Sequence, residues 1–184
     1  VIVISTAIED TNLELIKAKS LNIKVIKRSE LLASISRTKR TISVGGTSGK
    51  STTTAMIFHI LNQCGKSPSL MSGAGLTALQ KQGLIGNSYN GKSDWLVIEA
   101  DESDGSIVNY TSEIALLLNM DRDHKEFSEL IQLFETFRAN TTHTFIVNQS
   151  HPMSKNLSLN SEYDFGVDTP NVGFNGTEFS QNGF

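Results

Sequence analysis

The fold of this chain follows from one stretch, Thr41-Ile42-Ser43-Val44-Gly45-Gly46-Thr47-Ser48-Gly49-Lys50-Ser51-Thr52. Its β-branched and apolar beginning predicts a buried strand. Glycines that tolerate positive φ follow, and residues 50–63 have the apolar spacing of a helix. Because the first turn of a helix has free N–H groups, a loop at that position attracts anions. The stretch therefore predicts a phosphate-binding loop between a strand and a helix.

The side chains of this loop suit a nucleotide with its metal ion. Lys50 can lie along the β- and γ-phosphates, and the Ser51 hydroxyl is placed to bind Mg²⁺. Val44 stands where the common GxxxxGK[ST] loop has its first glycine, so the pattern departs from the general motif. A glycine-rich turn without a ligand is the alternative. The predicted nucleotide-binding residues are Gly46, Thr47, Ser48, Gly49, Lys50, Ser51 and Thr52.

Composition argues against several classes of protein. The net charge of −3 and the lack of a dense Lys/Arg face argue against nucleic acid as a partner. The single cysteine, Cys64, excludes an internal disulfide and suits a reducing cytoplasm. No run approaches the ~18 apolar residues of a membrane span. We therefore expect no membrane insertion.

The residues before the loop predict the end of a Rossmann-like α/β unit, because strand and helix patterns alternate there. The predicted elements are strands at 1–5 and 24–26 and helices at 12–21 and 30–35, the second helix capped by Ser29.

A basic, polar segment separates that unit from the phosphate loop. We expect a domain boundary at this segment, with residues 1–37 in the first unit and residues 40–184 in a mostly parallel α/β domain. The 184 residues suffice for one such domain and part of another. Because the chain starts inside an apolar run and ends at Phe184 without a stop signal, we expect a fragment.

The helix after the loop has an apolar face, and Gly65 just past its end acts as a stop. His59 has no acidic or cysteine partner at i±4, so a packed or half-exposed histidine is favoured over a metal ligand. The predicted apolar face consists of Met56, Ile57, Ile60 and Leu61.

A short strand at 69–71 leads into a polar stretch that reaches Lys92. This stretch either carries a substrate or is a solvated connection with a hairpin around Asn90-Gly91. The pattern alone leaves both readings open.

Glu99 ends a continuous apolar run, 95–98, which is typical of a parallel strand buried on both faces. Ligands of such sheets gather at the carboxyl ends of the strands, so Glu99 is predicted to hold magnesium. Asp101, Glu102 and Asp104 extend the acidic segment. For these three a solvated acidic loop is the alternative, and we assign the metal to Glu99 only.

A second buried strand at 114–118 ends in Asn119-Met120-Asp121-Arg122-Asp123-His124. The helix that follows has an apolar face made of Phe127, Leu130, Ile131, Phe134 and Phe137. Further strands are predicted at 144–147, 163–167, 172–174 and 179–184.

Three predicted strand ends carry groups that suit a nucleotide and a metal ion. These groups are Lys50 with Ser51, Glu99, and Asp123 with His124. The combination resembles the central ATP-binding domain of the Mur ligases, the cytoplasmic enzymes that build the peptidoglycan stem peptide.

The resemblance covers almost the whole chain. Residues 46–52 are similar to the GT-x-GK-T/S-T loop of the family, and residues 119–124 are similar to its N-x-x-x-DH segment. The string Glu99-Ala100-Asp101-Glu102-Ser103-Asp104 resembles the EADESD segment of the branch that adds L-alanine to UDP-N-acetylmuramate. Residues 1–35 resemble the end of the UDP-binding first domain.

The resemblance implies a chemistry and a set of roles. The family transfers the γ-phosphoryl group of ATP to a muramoyl carboxylate, and an amine then attacks the acyl phosphate. For this chain it implies ATP and Mg²⁺ as cofactors and UDP-N-acetylmuramate and L-alanine as substrates. Lys50 and His124 take catalytic roles, and Ser51, Glu99 and His124 hold metal. The implied function is ATP-dependent amide ligation in peptidoglycan precursor synthesis.

Other functions also fit parts of the sequence. The nearest rival is the ligase that attaches a whole tripeptide to the same UDP sugar during recycling. A GTPase requires an Asn-Lys-x-Asp segment, which the sequence lacks, and a kinase does not need Asp123-His124. A non-catalytic nucleotide-binding regulator remains a further alternative.

The sequence also departs from the family pattern, because the segment after His124 is shorter than usual for the alanine-adding branch. This difference bears on the shape of the pocket for the muramoyl group.

Overall fold

The computed structural model describes residues 1–5, 7–122 and 126–177. Its strands are β1 (Ile2–Ile4), β2 (Val25–Lys27), β3 (Arg40–Gly45), β4 (Ser69–Met71), β5 (Ser88–Tyr89), β6 (Trp95–Glu99), β7 (Ser112–Leu117), β8 (Thr141–Val147), β9 (Phe165–Val167) and β10 (Phe174–Gly176). Its α-helices are α1 (Leu13–Ser20), α2 (Arg28–Ser36), α3 (Lys50–Gln63), α4 (Thr77–Gln80) and α5 (Phe127–Ala139). Short 3₁₀ helices cover Ser106–Asn109 and Ser154–Leu157.

Six strands form the central sheet, in the order β5-β4-β6-β3-β7-β8. Neighbouring strands are parallel except β4 and β5, which pair antiparallel at one edge. β3 lies inside the sheet, and its residues from Thr41 to Gly45 are buried. Parallel sheets need cover on both faces, which explains the continuous apolar runs in the sequence. The predicted mostly parallel α/β fold is confirmed.

A two-stranded parallel sheet, β1 with β2, precedes the central sheet and is flanked by α1 and α2. Asn12 caps α1, since its side-chain oxygen accepts hydrogen bonds from two backbone N–H groups of the first turn, at 2.9 and 3.1 Å. α2 begins at Arg28, so the predicted cap at Ser29 is wrong. The Glu30 side chain instead accepts from the Lys27 backbone N–H at 3.4 Å, which supports an earlier helix start.

The face that α3 buries is only partly the predicted one. Thr54 and Phe58 are the buried residues of the helix. Met56 and Ile60, two of the four predicted residues, are 58% and 57% exposed, and the other two are partly buried. The apolar side chains of α3 point in several directions around the helix axis, so only contact with the sheet selects the buried stripe.

The main core lies between α5, α2 and the central sheet. Leu130, Phe134 and Phe137 of α5 are buried as predicted, Ile131 packs against them, and Phe127 at the helix start is 38% exposed. Leu32 and Ala33 of α2 belong to the same cluster. The boundary between residues 37 and 40 stays a prediction, and α2 packs on the central domain whichever unit it is assigned to.

The polar stretch after β4 forms no hairpin around Asn90-Gly91, because β5 pairs with β4 and β6 lies on the other side of β4. Gly91 lies so close to the backbone of Ser67 and Pro68 that a Cβ would collide with it. The predicted strand at 179–184 lies outside the described residues. Within the described ranges, no helix has the length and apolar character needed to cross a bilayer.

Candidate functional site

The phosphate loop lies where the sequence predicted it, between β3 and α3. Its backbone turns at two glycines with positive φ, Gly46 (139°) and Gly49 (79°). A Cβ on Gly46 would approach the Asn119 backbone nitrogen to 3.2 Å, in a conformation that L residues rarely adopt. Val44 is fully buried inside β3. The loop therefore begins after the strand has ended, which explains why its motif does not start with a glycine at Val44.

Asn119, two residues after the end of β7, holds the loop from the side. Its side-chain oxygen accepts hydrogen bonds from Thr47 Oγ1 (2.9 Å) and Ser48 N (2.8 Å), and its Nδ2 donates to Ser48 O at 3.0 Å. Thr47 Oγ1 also accepts from the Asp121 backbone N–H at 2.9 Å. These bonds join two neighbouring strand ends before any ligand binds. Sequence reasoning gave Asn119 no role of its own, although an amide directly after a buried strand was the available signal.

Lys50, the first residue of α3, turns back beneath the loop. Its Nζ donates to Gly46 O at 2.7 Å and to both carboxylate oxygens of Glu102, at 3.1 and 2.9 Å. Both side chains are largely buried, with exposed fractions of 13% for Lys50 and 7% for Glu102. Glu102 is the second residue that sequence reasoning missed, because its partner is 52 positions away in the chain.

Glu99 ends β6, beside the first turn of α3. Its Oε1 accepts from Ser51 Oγ at 3.0 Å, and its Oε2 accepts from Gly73 N at 2.7 Å and Ser72 Oγ at 3.2 Å. The structure thus brings together two of the predicted metal ligands, Ser51 and Glu99. Hydroxyl and carboxylate oxygens suit Mg²⁺, which takes its remaining ligands from nucleotide phosphates and water. This donor set fits a nucleotide-bound magnesium ion.

The rest of the acidic segment has local partners. Asp101 accepts from Ser103 N at 3.0 Å and Asp104 accepts from Ser106 N at 2.9 Å, so each stabilises a turn. Among the described residues, no group of three or more His, Cys, Asp and Glu side chains could hold a metal. The other predicted group, Asp123 with the metal ligand His124, lies outside those residues.

Two clefts open beside the loop on its β4 side. A cavity of about 490 Å³ lies between α3 and residues 74–78 and is bordered by Ser51 and His59. His59 is exposed and faces this cavity rather than the core.

A much smaller crevice of about 50 Å³ lies between Glu99 and α2 and includes Arg28 and Tyr110. Burial raises the pKa of Tyr110, so its hydroxyl stays protonated at neutral pH. The larger cleft borders Ser51 and the smaller one borders Glu99, so both lie beside the hydrogen-bonded pair of these two side chains.

Replacing Asn119 with Ala should weaken nucleotide binding by about tenfold, because three hydrogen bonds that hold the loop are lost and Ser48 N loses its partner. Titration calorimetry with ATP and Mg²⁺ measures this. Asn160→Ala is the matched control, since Asn160 also accepts a backbone N–H in a turn, that of Glu162, but lies outside the loop. Equal ATP affinities in the two variants would contradict the role of Asn119 in holding the loop.

Comparisons with known proteins agree with this geometry. The Mur ligase middle domain family matches residues 44–178. The UDP-N-acetylmuramate–L-alanine ligase of Bartonella quintana is 40% identical over 139 residues, which is 75% of this chain and 28% of that protein. The protein of the same name from Desulforapulum autotrophicum is 43% identical over 132 residues, 72% of this chain and 28% of its own length.

Among solved structures, the UDP-N-acetylmuramate-alanine ligase of Thermotoga maritima superposes with a TM-score of 0.78 at 25% identity, covering 91% of this chain and 38% of that one. The chain thus spans 28% of the length of the first two relatives. Because the family match extends over most of the chain, including the phosphate loop and the strand ends around it, the chain belongs to the Mur ligase family.

Proposed function

We propose that this chain is the nucleotide-binding part of an ATP-dependent amide ligase that joins L-alanine to the carboxylate of UDP-N-acetylmuramate in peptidoglycan precursor synthesis. The observation that carries the proposal is the convergence of Lys50, Ser51 and Glu99 at the start of α3, with Ser51 Oγ 3.0 Å from the Glu99 carboxylate. Relatives that carry the name of this activity match 75% and 72% of the chain and support the choice of substrates.

ATP binds in this proposal with its β- and γ-phosphates in the loop formed by residues 46–52. The backbone N–H groups of the loop and of the first turn of α3 donate to the phosphate oxygens. Lys50 adds a charged donor, because its Nζ already lies beneath the loop, 2.7 Å from Gly46 O. Asn119 keeps the loop in this shape, so little ordering is needed when ATP arrives.

Ser51, Glu99 and His124 would hold Mg²⁺. When bound, the ion offsets the negative charge of the γ-phosphate and the substrate carboxylate, which otherwise repel each other. The chain's own contribution is to orient the Ser51 hydroxyl and the Glu99 carboxylate towards the same point. Ser72 Oγ and Gly73 N fix the orientation of the Glu99 carboxylate by donating hydrogen bonds to its second oxygen.

The muramoyl carboxylate approaches from the β4 side, where the cavity of about 490 Å³ borders Ser51. The γ-phosphoryl group passes to this carboxylate and ADP is left. The amine of L-alanine then attacks the acyl carbon, phosphate departs, and an amide bond forms. Catalysis depends mainly on placement and charge, with Lys50 and His124 as the residues that contact the transferring group.

The proposal also assigns the two predicted units. Residues 1–37 form the end of the UDP-binding domain and residues 40–184 form the ATP-binding domain, in a protein that works in the cytoplasm. The packing of α2 on the central core gives the two units a shared contact.

An assay of the complete protein with ATP, Mg²⁺ and UDP-N-acetylmuramate tests this function. With L-alanine, one ADP and one phosphate should form for each amide made. Mass spectrometry of the product measures the amide. Amide formation with a tripeptide but not with L-alanine would assign the recycling reaction instead. ATP hydrolysis without an amide from either amine would contradict a ligase.

A further inference from the structure

We propose that Glu102 is a positioning residue for Lys50: its buried carboxylate holds the lysine under the loop and neutralises its charge, so that the site favours the magnesium complex of the nucleotide over the free nucleotide. This inference rests on the proposed ATP-binding function and assigns a role to a carboxylate that the metal prediction had left out.

The geometry of the pair uses most of the hydrogen-bonding capacity of Lys50. A lysine ammonium has three N–H donors. Gly46 O lies 2.7 Å from Nζ, and the Glu102 oxygens lie at 2.9 and 3.1 Å, close enough to share one or two donors. At least one donor is satisfied within the loop and at least one on Glu102. At most one donor is left to face the phosphates.

The pair should persist when a nucleotide binds. Glu102 is 5% exposed, and in the part of the chain that the structure describes Lys50 is the only hydrogen-bond partner of its side chain. Movement of Lys50 away from Glu102 would leave a buried carboxylate without a partner, which is strongly unfavourable. Lys50 therefore approaches the phosphates with its remaining N–H while it stays paired.

The pairing lowers the net positive charge that the loop presents to an anion. A free lysine would bring a full positive charge to the phosphates, whereas the Lys50–Glu102 pair is neutral overall. The positive end of the α3 dipole, about half a charge, then remains as the fixed attraction within the loop. A bare triphosphate is also repelled by the Glu102 carboxylate. A magnesium ion on the nucleotide reduces that repulsion by lowering the net negative charge of the ligand, so the pair discriminates between the two forms of the ligand.

The test compares Glu102→Gln with the unmodified complete protein. Glutamine keeps the size of the side chain and one acceptor oxygen for Lys50 but removes the charge. ATP affinity is measured by titration calorimetry in excess Mg²⁺ and again in EDTA. The quantity of interest is the dissociation constant of metal-free ATP divided by that of MgATP, because a loss of folding would change both constants alike and leave this ratio unchanged.

In Glu102→Gln we expect metal-free ATP to bind about tenfold more tightly, the scale of one charge acting over several ångströms at a partly buried site. The affinity for MgATP should change less, so the ratio falls by about tenfold. Asp104→Asn is the matched control: it removes a like charge from the exposed side of the same segment and keeps an acceptor for Ser106 N. Its ratio should equal that of the unmodified protein.

Glu102→Asp separates charge from packing. It keeps the carboxylate but shortens the side chain, so its ratio should stay near that of the unmodified protein even if its melting temperature falls. An unchanged ratio in Glu102→Gln, or an equal weakening of both affinities, would overturn the positioning role while ATP binding itself stands. If the unmodified protein binds ATP neither with nor without Mg²⁺, both this inference and the proposed function are overturned.

Discussion

Replacing Lys50 with alanine is expected to lower kcat for ligation by about 100-fold or more, the scale of losing one preorganised electrostatic group. Lys50 Nζ already lies 2.7 Å from Gly46 O beneath the loop, so its charged N–H donor is in position before the transition state forms. The effect should fall mainly on kcat, because the loop N–H groups that bind the phosphates of the ground state remain. Steady-state kinetics of the complete protein with ATP as the varied substrate measure it.

This variant needs two controls, because Lys50→Ala also leaves Glu102 buried and unpaired. The double variant Lys50→Ala/Glu102→Gln removes the unpaired charge and should regain thermal stability without regaining turnover. Lys66→Ala removes an exposed lysine just past the end of α3 and should leave kcat unchanged. Turnover in Lys50→Ala close to that of the unmodified protein would show that Lys50 does not act on the phosphates.

Replacing Glu99 with glutamine is expected to raise the Mg²⁺ concentration needed for half-maximal activity by at least about tenfold and to lower kcat at saturating Mg²⁺ by about 100-fold. The amide is a weaker metal ligand than the carboxylate, and its single oxygen cannot both accept from Gly73 N, as Glu99 Oε2 does at 2.7 Å, and face Ser51, as Glu99 Oε1 does.

Glu113→Gln is the matched control for Glu99. Glu113 lies near the start of β7, at the opposite end of the sheet, where it accepts from Arg40 at 2.8 Å. The Arg40 guanidinium holds the pKa of Glu113 below its usual range, so the residue is ionised at neutral pH, as a control for charge requires. Its loss should leave the magnesium requirement unchanged. An unchanged requirement in Glu99→Gln as well would place the metal elsewhere.

The sequence alone was sufficient for the fold class and for placing Ser51 and Glu99 at the same edge of the sheet. Strand β6 is a continuous apolar run that ends in Glu99, and β3 is a similar run that ends in glycines. Parallel strands place their carboxyl ends at one edge, so groups far apart in the chain could be assigned to one site without coordinates. Local patterns carried this information because burial on both faces requires apolar residues at every position of a strand.

Sequence reasoning failed where the outcome depended on contacts between distant segments. Ser29 and Lys27 both lie near the start of α2, and the pattern did not show where the helix begins. Met56 and Ile60 are as apolar as the residues that α3 buries, but they face solvent. Propensity and periodicity describe one segment at a time, and such choices are made by the surface on which the segment packs.

The sequence by itself therefore determined the main strands and helices of the central domain, the loop between β3 and α3 and the carboxylate at the end of β6, but not α4 or β5. The tertiary structure decided how those groups are paired: Asn119 with the loop backbone, Ser51 with Glu99, and Lys50 with Glu102. The physical reason is that an ionic or polar side chain near the protein interior must find a hydrogen-bond partner. Which partner lies nearest is set by the order of the strands in the sheet and not by distance along the chain.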